Sequence, residues 1–67
     1  MTEEINKSYV QRYIAKAKDA DNEHLKNDCL YRAGTQMEVI EVNSDGQLSL
    51  EQQQRVLDAA SKLLGGQ

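Results

Sequence analysis

Apolar side chains recur along this chain at intervals of three and four residues, the spacing of one face of an α-helix, and they do so in three successive stretches. The central stretch organises the rest. Between Glu23 and Val42, Leu25, Cys29, Ala33, Met37 and Ile40 fall on one side, with Leu30 on its border. Before it, Ile5, Tyr9, Tyr13, Ala17 and Ala20 form a stripe that Val10 and Ile14 widen until it can touch two neighbours. After it, Leu50, Gln53, Val56, Leu57, Ala60, Leu63 and Leu64 make a third stripe with Gln53 its only polar member. The pattern predicts an all-α domain of three helices, about residues 3–20, 23–42 and 49–64, built as a helical hairpin with the last helix folded back on it.

The helix ends are marked unevenly. Thr2 followed by Glu3 and Glu4 reads as an N-cap with acids in the first turn, and Ser49 with Gln52 three residues on has the spacing of a capping box. Asp19-Ala20-Asp21-Asn22-Glu23 holds turn-prone residues but neither Gly nor Pro, so Asn22 or Asp21 is placed to cap the central helix. A single unbroken helix from Glu3 to Val42 is the alternative, because the apolar spacing bridges this gap.

Gly34 costs a helix about 1 kcal/mol relative to alanine, and Thr35-Gln36-Met37-Glu38 has capping-box spacing of its own. A break there is a second open reading. The hydrophobic phase passes through Gly34 without resetting, which favours one continuous helix to Val42. Asn43-Ser44-Asp45-Gly46 then signals a turn, and Gly65-Gly66 a stop. Pairing of Val39 to Val42 with Gln47 to Leu50 as strands is opposed by Glu38, Glu41 and the lack of alternation.

At 67 residues the chain supports one small domain spanning 1–67. A chain of that size buries only about 60% of its unfolded surface, so extra support is expected. The single cysteine excludes an intrachain disulfide, and Cys29 lies in an apolar stripe, where it reads as a small core residue. A second copy is the expected support, making the assembly a homodimer.

The formal charge of -3 argues against nucleic acid as the main partner and against a membrane surface. No apolar run approaches the roughly 20 residues that cross a bilayer, so neither a signal peptide nor a span is expected and the location is read as cytoplasmic. Charge is nevertheless arranged in blocks. Lys7, Arg12, Lys16 and Lys18 populate the first helix with no acid between them, a pattern read first as a complement to the helix dipole and second as a basic docking strip.

The stretch Glu41 to Gln52 resembles a calcium-binding EF-hand loop. Asn43 and Asp45 stand at oxygen-donating positions, Gly46 at the sharp turn, Leu48 at the apolar position and Ser49 at the water-linked one, with Met37, Ile40, Val56 and Leu57 matching the flanking helices. The resemblance implies a degenerate, weak calcium-binding module. It departs from the family at both ends, where Glu41 replaces Asp and Gln52 replaces the bidentate Glu. Asn43, Leu48, Ser49, Arg55, Val56, Ala59 and Leu63 are also similar to the third helix of lactose-repressor-type DNA-binding domains. The acids Glu38, Glu41, Asp45 and Glu51 beside it would repel a phosphate backbone.

Catalytic chemistry finds little footing. His24 and Cys29 sit five residues apart on different faces, no carboxylate pair is fixed by a motif, and no Gly-rich phosphate cradle is present. Neither an enzyme nor a cofactor or metal ligand is expected. Tyr and Arg are the residues that anchor protein interfaces most often. Tyr9, Arg12 and Tyr13 on the first helix and Tyr31 and Arg32 on the second are therefore the candidate partner-binding residues. The function expected is a non-catalytic helical module, of phage or mobile-element type, that inhibits, adapts or regulates a larger protein. The alternatives are the calcium-binding module and a nucleic-acid-associated regulator using the basic first helix.

Overall fold

Asn6 sets where the first helix begins. In the computed structural model, which describes residues 5–42 and 45–65, α1 runs Lys7–Lys18, and the Asn6 Oδ1 accepts the backbone N–H of Tyr9 at 3.0 Å. The expected start near Glu3 is therefore four residues early, and its proposed cap, Thr2, lies outside the described residues. Asn is among the strongest N-caps, and once it supplies the acceptor the chain before it has no need of helical backbone. Ile5 stays outside the helix, half-buried against the core. The first turn carries no acid, while Lys16 and Lys18 in the last turn still suit the negative end of the dipole.

Helices α1 and α2 are separate, and the unbroken-helix alternative is excluded. Asp19 ends α1, and Asn22 opens α2, Glu23–Gln36, by accepting the Leu25 N–H on its Oδ1 at 2.7 Å. The hairpin expected from Asp19 to Glu23 is present.

The end of α2 corrects the expectation of a helix to Val42. The helix stops at Gln36, and Glu38 takes the left-handed conformation with φ of 64°. Its N–H bonds the carbonyl of Thr35 at 3.1 Å while the Val39 N–H bonds that of Gly34 at 3.0 Å. That pair of bonds is a Schellman motif, with glutamate where glycine is usual. A non-glycine residue there costs about 1–2 kcal/mol, so packing beyond the turn must hold it. Ile40 provides that packing: it folds back and is buried at 6% exposure, and a Cβ on Gly34 would stand 2.6 Å from its Cγ1 and 2.7 Å from the Val56 Cγ2. Gly34 is thus an interior helix residue whose missing side chain admits Ile40 and Val56. Thr35 caps nothing, since its hydroxyl donates back to the carbonyls of Tyr31 and Arg32.

Helix α3, Leu50–Gly65, starts as the sequence predicts. The Ser49 Oγ accepts the Gln52 N–H at 3.1 Å, and the Gln52 side chain returns the bond to the Ser49 N–H at 2.8 Å. No strand occurs among the described residues.

The core lies where the three helices meet. Its largest fully buried side chains are Val10, Leu30 and Val56, one from each helix, with Cys29, Ala33, Met37, Ile40 and Leu48 around them. The thiol is a small buried core group, as its place in the stripe implies. The radius of gyration is 11.2 Å, against about 11 Å expected for a compact chain of this length. Most of the apolar stripes are therefore satisfied inside one copy. Three members depart from their stripes: Leu25 is 46% exposed, Leu50 81% and Leu64 36%.

Asn27 locks the α2–α3 connection onto the core. Buried on α2, it donates from Nδ2 to the Gly46 carbonyl at 2.7 Å and accepts the Leu48 N–H on Oδ1 at 2.8 Å. Those bonds satisfy backbone groups that would otherwise be stranded and hold Leu48 in the core. Gly46 turns the chain with φ of 62° against the ring of Tyr31.

Candidate functional site

The hairpin gathers three of the five sequence-predicted interface residues along the seam between α1 and α2. Tyr9 and Tyr13, one turn apart, are half-buried with ring centroids 4.7 Å apart and planes at 46°. From α2, Arg32 reaches across, its guanidinium carbon 5.7 Å from the Tyr13 centroid. Lys16, one turn along α1, places its ammonium 5.1 Å from the same ring. The tyrosine face thus holds two cations by the attraction of its negative π surface.

Arg32 is oriented from three sides. Its Nε donates to the Asp28 Oδ2 at 3.1 Å, in an i,i+4 pair whose side chains are 50% and 51% exposed. The Asp28 hydrogen bond and charge hold the guanidinium above the ordinary arginine value, followed by a hydrogen bond with Tyr9 and the charge interaction with Tyr13. The group is accordingly a permanent cation, fixed in direction yet still half open to solvent.

The other two candidates go elsewhere. Arg12 is exposed on α1, three residues after Tyr9 and one turn before Lys16. Tyr31 is half-buried and lies over Gly46 at the α2–α3 connection, so its role in the fold is to wall the turn. Sequence reasoning missed Lys16 and Asp28 as members of the seam. Their spacing was the available signal, since Lys16 is i+3 from Tyr13 and Asp28 is i−4 from Arg32.

The four bases of α1 do not form one strip. Arg12 and Lys16 flank the tyrosines, whereas Lys18 borders an apolar groove between α1 and α3 with Ile14, Leu57, Ala60 and Leu64. Lys7 lies about 20° from Lys18 in helical phase, on that second side. A nucleic-acid backbone would meet two separated pairs of cations.

The loop that resembles an EF-hand is arranged around protein hydrogen bonds. Asn43 lies outside the described residues. The Asp45 carboxylate accepts the Gln47 N–H at 3.1 Å, and the Gln52 side-chain oxygen is engaged by Ser49. Among the described residues no group of three or more His, Cys, Asp or Glu side chains is placed to hold a metal. His24 is exposed at the start of α2 while Cys29 is buried, which separates the two residues chemically. No described helix is long and apolar enough to cross a membrane.

Compared with known protein families, with curated proteins and with solved structures, the chain finds no match in any of the three.

Proposed function

We propose that this protein is a non-catalytic, cytoplasmic binding module that inhibits, adapts or regulates a larger protein partner, and that it contacts that partner through the α1–α2 seam. The observation that carries the reading is the pre-ordered cluster of Tyr9, Tyr13 and Arg32, with Lys16 beside it and Asp28 steering the guanidinium. Tyrosine and arginine bring much contact area and directional hydrogen bonding to an interface, and side chains already held in place lose little entropy on binding. Self-association of the module is part of the same proposal. Because the apolar stripes are largely filled within one copy, the copies meet through exterior faces and the dimer is a weak one.

The test is affinity capture from the native host with the tagged protein and with its Tyr13→Ala and Arg32→Ala variants side by side. A partner retained by the original chain and lost from both variants supports the reading, provided the variants keep their helical circular dichroism. Recovery of the same proteins in equal amounts by all three would refute the seam as the binding face.

A further inference from the structure

The exposed side of α3 carries four charged residues, Glu51, Arg55, Asp58 and Lys62, separated by four, three and four positions. At about 100° per residue they fall in a strip about 60° wide, on the opposite side of the helix from Val56 and Ala60. A shallow open depression follows this strip, lined by the same four residues with Gln54 and Ala59.

The order of sign along the strip is negative, positive, negative, positive. It is symmetric about a point between Val56 and Leu57 in a particular sense: Glu51 and Lys62 are equidistant from that point, and so are Arg55 and Asp58. A second α3 laid antiparallel across the first, with a two-fold axis through that point, would set every acid beside a base of the other copy. A parallel arrangement would set like against like. Gln54 and Ala59 are related by the same symmetry and place a flexible amide against a small side chain at each flank.

Pairing within the helix does not use up these charges. The i,i+4 pairs Glu51–Arg55 and Asp58–Lys62 are not closed, the ion pair among the described residues being Arg32–Asp28, and Asp58 accepts instead from the neutral amide of Gln54 at 3.0 Å. We infer that the outer face of α3 is a self-association surface that receives the α3 of a second copy in antiparallel orientation. The inference rests on the reading of the protein as a self-associating module and gives that association its face. One helix face buries less than a standard interface of about 1,200–2,000 Å², and its contacts are charged, so the dimer is weak and salt-sensitive.

The experiment is sedimentation equilibrium of the full chain over a wide concentration range. Raising salt from about 0.01 M to about 1 M shortens the screening length from about 30 Å to about 3 Å. The expected result is a dimer at low salt whose dissociation constant rises at least about tenfold at high salt. Arg55→Glu and Asp58→Arg should each abolish it, and the doubly exchanged protein, R55E with D58R, should recover it. All these positions are exposed, and an unchanged melting temperature confirms that each variant folds.

A monomer at every concentration in low salt overturns the inference, as does an exchanged protein that fails to recover. A dimer strengthened by salt also overturns it and assigns association to the apolar groove of Ile14, Leu57 and Leu64. A protein that stays monomeric yet still captures a partner through Tyr13 and Arg32 leaves the proposed function standing and removes this face alone.

Discussion

Replacing Asn27 with alanine removes both bonds that tie the α2–α3 connection to the core. The Leu48 N–H loses its acceptor at 2.8 Å in a buried setting, and the Gly46 carbonyl loses its donor at 2.7 Å in a partly buried one. Stranding a buried amide costs about 1–3 kcal/mol, and the carbonyl, which can turn toward water, adds about 0.5–1.5 kcal/mol. The expected loss is thus about 2–4 kcal/mol. Set against the roughly 0.05–0.15 kcal/mol per residue typical of folded domains, that is a large share of the total stability.

Urea unfolding followed by helical circular dichroism measures it. With a slope of about 1–3 kcal/mol per molar urea, the midpoint should fall by about 0.7–4 M with the slope unchanged. Asn27→Leu separates bonding from packing, since it fills the space with an apolar group but still strands Leu48. Amide exchange supplies the local readout: Leu48 should lose protection in both variants. If Asn27→Leu is as stable as the original chain, or if the Leu48 amide stays protected in Asn27→Ala, the clamp described here is not what holds the connection.

Two further substitutions probe the end of α2. Gly34→Ala should lower the melting temperature, because overpacking against Ile40 and Val56 costs about 1–3 kcal/mol and outweighs the gain of about 1 kcal/mol in helix propensity; a higher melting temperature would refute the close approach. Glu38→Gly should stabilise by about 1 kcal/mol by relieving the left-handed backbone at φ of 64°, a rise of about 4–8 °C for a domain of this size. No change there would mean that the Schellman turn is not under the expected strain.

The number of helices, the hairpin and the start of α3 were legible in the sequence because their signals act over a single turn. Asn22 caps the helix it immediately precedes, Ser49 and Gln52 bond one another, and the periodic placement of Val10, Leu30 and Val56 needs only helical geometry to put them inside. Of the candidate site, the residue types were readable but not their assembly. Tyr9, Tyr13 and Arg32 meet only once α1 and α2 are packed, while Tyr31, about 100° round α2 from Arg32, lies against Gly46 instead.

The end of α2 was hidden for a related reason. Met37 and Ile40 continue the apolar phase of the helix even though the helix has ended, since the turn at Glu38 returns them to the same core. Asn27 was hidden as well, because a polar residue is buried only where distant backbone supplies its partners. The amino-acid order alone therefore determined which segments coil and where two of them begin. The tertiary structure decided where α2 stops, which polar side chain enters the core and which aromatic ring receives the arginine of the neighbouring helix, because each of those depends on atoms that folding brings together from far apart in the chain.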